Sequence, residues 1–305
     1  MKKLIKSFLR TVLPVAVQDF LRPYYKKFRY WLHCMGFYFR EVFGLPKLKH
    51  KQNKINFGFH IVEHCNLKCA SCDNFSPLAE TEFLNFDDFS RDIERMGILF
   101  NHECDCVRLL GGEPLLHPEI TKFLKASREN FTFGKIQLLT NGILLANMDK
   151  NFWQVCHDYR ITIFLTHYPI NINLDAIESL AESYGVELLY EKAALDYFLK
   201  KPINLSGSGN YKVNFELCYR GNGCPLIYHG RLYTCTFAPN VRHFNKKFGV
   251  NIPVTDDDSI DIYSGISGDE ILRRLCEPIP LCRFCDMNFK QVKWHISEQD
   301  INEWL

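Results

Sequence analysis

The sequence predicts an α/β protein built on a parallel sheet, with a small Cys-rich carboxyl-terminal extension and a helical, basic amino-terminal segment. Three observations predict it. Strand-like and helix-like runs alternate from Ile55 to Tyr190, a βαβα order that implies parallel strands joined by helical crossovers. Six of the 13 cysteines fall after Lys212, in a stretch where that alternation fades. Charge is divided unevenly: residues 1–54 carry 13 Lys or Arg against two acids, a net +11, which leaves the rest at −9 within a total of +2. The 305 residues are 47% hydrophobic and 24% charged, enough core formers for one large domain with or without a small appendage, and too many for a disordered chain. With 17 Gly and 13 Pro there is no collagen-like or low-complexity architecture, and no stretch approaches the ~20 apolar residues of a membrane span.

In the head, Leu4, Ile5, Phe8, Leu9, Val12 and Leu13 recur at helical spacing, with Lys2, Lys3, Lys6 and Arg10 elsewhere on the wheel, an amphipathic basic helix. After Pro23, an apolar stripe of Tyr24, Phe28, Trp31, Leu32 and Met35 runs beside Lys26, Lys27 and Arg29, until Lys47–Lys54 form a basic linker. Two readings stand side by side for residues 1–54: a peripheral anchor on anionic membrane surfaces, and a helical layer using Tyr24, Phe28 and Trp31 as core. Lys6, Arg10 and Pro14 interrupt what would otherwise read as a signal peptide. A reducing, cytoplasmic setting is expected, with contact at the inner face of the membrane as the anchor's corollary.

The body begins near Ile55. Strands are expected at INFGFHIV, CVRLL, KIQLLT, ITIFLTH and VELLY, with helices at FDDFSRDIERMGILF, PEITKFLKASREN, before Tyr159, and at LDAIESLAESY. Asp87 is placed to cap the first of these helices, and Pro118 to open the second. Ligands should gather at the carboxyl ends of such strands. After Tyr190, LSGSGN marks a loop, and a Cys-containing tail runs from Lys212 to Asp286. The domain reading is 1–54, a basic helical segment; 55–211, the core; 212–290, the Cys-rich region; and 291–305, a terminal tail.

Immediately after the first strand, Cys65, Cys69 and Cys72 stand in a CxxxCxxC spacing. Three thiolates on one short loop hold three corners of an iron–sulfur cube and leave the fourth iron without a protein ligand. Structural zinc takes four protein ligands, commonly from CxxC pairs, and fits a lone three-cysteine loop less well. One βα unit later, CVRLL runs into Gly111, Gly112, Glu113 and Pro114, and a third strand ends in Thr140, Asn141 and Gly142.

These residues resemble the radical SAM enzymes, whose CxxxCxxC loop follows the first strand of a partial (β/α) barrel and whose GGEP motif binds the methionine end of S-adenosylmethionine. The resemblance covers roughly residues 55–215. It implies a 4Fe-4S cluster on Cys65, Cys69 and Cys72, with S-adenosylmethionine bound by Gly111, Gly112, Glu113, Pro114 and Asn141. Many members place an aromatic residue before the third cysteine, against adenine. This chain has Ser71 there, so Phe75 or backbone would make that contact. The loop CNLKCASCDNFSPLA resembles a subtype found in bacterial surface-glycan pathways.

In the tail, Cys218, Cys224, Cys235, Cys276, Cys282 and Cys285 leave zinc and an iron–sulfur cluster equally open by spacing alone. Resemblance favours the second: Cys, Gly230, four residues, Cys235 and a later CxxC are similar to the SPASM and twitch extensions with auxiliary 4Fe-4S clusters. Six cysteines suit a single auxiliary cluster, on Cys235, Cys282, Cys285 and Cys218, with Cys224 the alternative to Cys218. Cys276 is read as structural; Cys34, Cys104, Cys106 and Cys156 as packing; His60, His64, His117 and His167 as packing or pocket lining; Asp256–Asp258 as a solvated loop. The expected function is a radical SAM oxidoreductase acting on a small molecule or glycan precursor with an external electron donor. A peptide-modifying maturase and a non-catalytic metal-stabilised scaffold are the alternatives, and no nucleic-acid-binding fold is recognised.

Overall fold

The computed structural model describes residues 15–43, 53–218, 221 and 223–305. The chain divides into two compact units, Met1–Leu48 and Lys49–Leu305. In the first, α1 (Val15–Val42) is one helix that continues through Pro23. Phe28, Trp31, Leu32, Met35, Phe39 and Val42 are all exposed along it, at the spacing of a single helical face. The helix expected at Leu4–Leu13, and Lys47–Gln52 of the linker, lie outside the described residues. No described helix is long and apolar enough to cross a membrane.

The second unit opens with the expected alternation: β1 (Asn56–Val62), α2 (Phe86–Leu99), β2 (Glu103–Gly111), α3 (Ile120–Asn130), β3 (Phe133–Thr140), α4 (Lys150–Asp158), β4 (Ile161–Leu165), α5 (Leu174–Tyr184) and β5 (Leu188–Leu189). Neighbouring strands of this series pair in parallel. One face of the sheet sends Phe57, Phe59, Val107, Leu109, Ile136, Leu138 and Ile163 into a core shared with Phe89, Ile93 and Met96 of α2 and Phe123 and Leu124 of α3. Each such side chain contributes ~1.5–3 kcal/mol when fully buried, which is why this period was readable from the sequence.

Helix starts differ from expectation. Asn85, not Asp87, caps α2, its Oδ1 accepting from the N–H groups of Asp87 (2.8 Å) and Asp88 (3.3 Å). Asp87 instead sits in the first turn, where its charge suits the helix dipole. Pro118 precedes α3, because the His117 ring accepts from the Glu119 N–H at 3.1 Å and holds a turn there.

Beyond β5 come β6 (Tyr197–Lys200), α6 (Tyr211–Leu217), β7 (Leu226–Tyr228), β8 (Arg231–Tyr233), α7 (Phe237–Phe248), β9 (Ser259–Asp261), α8 (Gly268–Arg274) and β10 (Lys290–Lys293). The Cys-rich region is part of the main sheet: β7 pairs in parallel with β1, Gly58 opposite Leu226, and β8 and β9 follow antiparallel. Among the described residues the sheet runs β5-β4-β3-β2-β1-β7-β8-β9, an α/β fold with a mostly parallel sheet, as a partial barrel requires. A second core, with Phe75, Phe237, Val241, Phe244, Leu281 and Trp304, lies beside it. Asp258, expected in a solvated loop, is 1% exposed. Its carboxylate accepts from the Thr255 and Leu281 N–H groups, the latter at 2.7 Å, which ties it to the turn that presents Cys282.

Candidate functional site

Cys65, Cys69 and Cys72 line one cavity together with Gly111, Gly112 and Asn141, at the carboxyl ends of β1, β2 and β3. The loop turns back on itself through three non-glycine residues of positive φ, Lys68 (51°), Ser71 (57°) and Phe75 (56°). Such backbone is costly and persists where surrounding contacts hold it. Here residues 294–304 supply them: Ala70 N–H donates to His295 O (3.0 Å), Ser297 N–H to Lys68 O (2.8 Å), the Ser71 hydroxyl to Glu303 O (2.6 Å) and the Trp304 indole to Cys72 O (3.0 Å).

Glycine at 111 and 112 is required by close backbone approach. A Cβ on Gly111, whose φ is +144°, would meet Val62 O at 2.2 Å, and one on Gly112 would meet His64 O at 2.0 Å. The pair therefore lets the end of β2 press against the start of the cysteine loop, with the Gly112 N–H on Val62 O (2.7 Å) and the Glu113 N–H on His64 O (3.1 Å).

Glu113 lies behind the glycines. It is 0% exposed and outside the cavity lining, as is Pro114. One carboxylate oxygen accepts from the Thr140 hydroxyl (2.7 Å) and the Leu115 N–H (3.1 Å), the other from the Asn141 N–H (2.9 Å). The acid thus pins the end of β3 and aims Asn141, while burial pushes its pKa up to about 7. Phe75 makes no cavity contact either: at 2% exposure it packs against Phe237, Phe244 and Trp304.

Do these thiols suit an iron–sulfur cluster? Burial raises all three; repulsion by neighbouring negative groups adds to it, bringing Cys65 up to about 11 and Cys69 to about 12. Alone they stay protonated at neutral pH, and a cationic centre would deprotonate and hold them. N–H groups already point at the sulfurs: Leu67 N–H (3.4 Å) and Asn141 Nδ2 (3.6 Å) on Cys65, Trp294 Nε1 (3.1 Å) on Cys69. Sulfurs supplied with donors are set up as thiolate acceptors, so the residues fit the group.

The tail cysteines form a second set. Cys218, Cys235, Cys282 and Cys285 line one small cavity, and Cys224 is not among its lining. Asn214 Nδ2 donates to both Cys282 O and Cys285 O at 2.9 Å, fixing the CxxC turn. Burial raises Cys235, Cys282 and Cys285, the last up to about 12. Burial pulls Lys201 down, yet the sulfurs around it, Cys285 first, hold it above the usual lysine range when they are thiolates. Among the described residues no three His, Cys, Asp or Glu side chains converge as the shell of a single metal ion. Cys104, Cys106 and Cys156 are buried.

Sequence reasoning missed Tyr168, which lines the first cavity, together with Trp294, Trp304 and Lys201. None has a fixed spacing from a cysteine. Trp294 lies 225 residues from Cys69, and only the fold brings them together.

Residues 59–183 match the Radical SAM superfamily model. The chain is also similar to the GTP 3′,8-cyclase of Staphylococcus carnosus, 30% identical over 127 residues, and to that of Klebsiella pneumoniae, 32% over 123 residues. Each match covers 39% of this chain and 33% of the relative, so the chain spans about a third of the length of these curated relatives. Among solved structures, BtrN in complex with AdoMet and 2-DOIA is 15% identical, with a TM-score of 0.48, over 78% of this chain and 94% of that one.

Proposed function

We propose, on the match of residues 59–183 to the Radical SAM superfamily, that the protein is an enzyme that cleaves S-adenosylmethionine reductively and uses the radical formed to take hydrogen from a substrate. The observation that carries the reading is the cavity in which Cys65, Cys69 and Cys72 face Gly111, Gly112 and Asn141. A 4Fe-4S cluster at that loop would supply one electron to the sulfonium, breaking its bond to C5′ to give methionine and a 5′-deoxyadenosyl radical. The chain's own part is positional. Gly111, Gly112 and Asn141 line the cavity that would take an amino acid's polar end, and Glu113 holds Asn141 in place.

Cys218, Cys235, Cys282 and Cys285 are proposed to hold a second 4Fe-4S cluster of the twitch type. Their shared cavity favours Cys218 over Cys224. For substrate we favour a sugar or glycan precursor, on the resemblance of the loop CNLKCASCDNFSPLA. The curated relatives are named for a reaction of GTP, but their similarity covers 39% of this chain and 33% of the relative.

The test is anaerobic reconstitution with strong reductant, S-adenosylmethionine, and a panel of nucleotide sugars, GTP and peptides. The wild-type chain is expected to release 5′-deoxyadenosine, with a rise on the true substrate. The triple variant Cys65→Ala, Cys69→Ala, Cys72→Ala should release none while keeping the iron of the tail. Continued release from the triple variant overturns the assignment, and no release from an iron-replete wild-type chain leaves a scaffold.

A further inference from the structure

We propose that Trp294 is a positioning residue for the cysteine loop, its indole N–H setting the reduction potential of the cluster held there. The inference rests on the cluster reading above. The indole Nε1 lies 3.1 Å from Cys69 Sγ, and its place is fixed from both sides. On one side β10 pairs with β6, and the Trp294 N–H donates to Asp196 O at 2.8 Å. On the other, Ile296 bridges Cys69, and the next N–H, of Ser297, reaches Lys68 O. Tyr168 lines the same cavity as Cys69, with its ring 6.1 Å from that of Trp294.

The physical consequence follows from charge. Reduction adds an electron to a cluster already surrounded by thiolates, and an N–H dipole aimed at a ligating sulfur stabilises the electron-richer state, which raises the potential. The donors on Cys65 are a neighbour in the loop and a residue at the end of β3. The indole on Cys69 instead comes from residues 291–305, outside the matched span 59–183. Docking of the carboxyl-terminal segment and the ease of reducing the cluster thereby become one property.

The test is an EPR-monitored potentiometric titration of the reconstituted full chain, with and without S-adenosylmethionine. The signal that changes on adding S-adenosylmethionine identifies the loop cluster without disturbing the tail. Trp294→Phe keeps the ring and removes the donor, and its midpoint is expected to move to more negative potential. Trp304→Phe removes an indole bond to the same loop, but to the Cys72 carbonyl rather than a sulfur, and should leave the midpoint in place. An unmoved midpoint in Trp294→Phe, or an equal movement in Trp304→Phe, overturns the proposal. Should Trp294→Phe fail to retain iron, Trp294→His, which keeps a ring N–H, is expected to retain it near the wild-type potential; loss there as well overturns it. A wild-type chain without any signal responsive to S-adenosylmethionine brings down the cluster reading itself, and this inference with it, a result distinct from a responsive cluster whose midpoint does not move.

Discussion

Gly112 concentrates the demands of the site in one residue. Its missing side chain leaves room for His64 O at 2.0 Å and Glu63 O at 2.8 Å from where a Cβ would stand, both backbone atoms that cannot swing aside. Adding a methyl group must part the end of β2 from the strand that delivers Cys65. Overpacking of this kind costs ~1–3 kcal/mol, and the displaced backbone is the one that orients the first thiol. Gly112→Ala is therefore expected to melt at lower temperature and to bind iron only at the tail cysteines; a variant with wild-type melting and full iron would contradict this account of the glycine. Sequence reading assigned the glycines to ligand approach, and the structure adds that they serve chain approach first. The same holds for Glu113, whose motif position was legible while its partners, Thr140 and Asn141, were not: a hydrogen bond across 27 residues leaves no periodic trace.

At the scale of elements, legibility follows length. Strands β1 to β4 and helices α2 to α5 repeat an apolar period over enough residues to be read. By contrast β7, β8 and β9 have three residues each, too few for a period of two to show, so their place in the main sheet was hidden. The helix α1 was legible, and its outward stripe yields a prediction. Phe28 and Trp31 are 55% and 54% exposed, with rings 5.9 Å apart, and the first 54 residues carry a net +11. Apolar burial at a headgroup boundary, together with ~1 kcal/mol per basic residue near an anionic surface, is the recipe of a peripheral anchor. The full chain is expected to cosediment with anionic liposomes and to lose most of that binding at high salt, where exposed charges are screened. Deletion of residues 1–54 should leave a soluble body. An insoluble body, with a full chain that ignores anionic liposomes, would make the head a packing element instead.

For the molecule as a whole, the two cysteine sets share one scaffold. The loop of the first sends Phe75 into the core that holds Phe237, Phe244 and Leu281 of the second. Trp304 packs there while donating to Cys72 O, and the Ile203 N–H donates to Trp304 O at 2.7 Å as Ile203 bridges Cys285. The first set was plain in the sequence because a single loop carries it. The second was not, because its cysteines are scattered along the chain and the sequence offers both Cys218 and Cys224, of which Cys218 lines the cavity with Cys235, Cys282 and Cys285. If both sets hold thiolate-bound 4Fe-4S clusters, the reconstituted chain should contain about eight irons. Cys218→Ala should bring that to about four while sparing S-adenosylmethionine cleavage in the absence of substrate, whereas Cys224→Ala should leave it at about eight. Tightly held zinc with about four irons in the wild-type chain would instead mark the tail as a structural zinc site, and iron loss in Cys224→Ala alone would transfer the fourth corner to that residue.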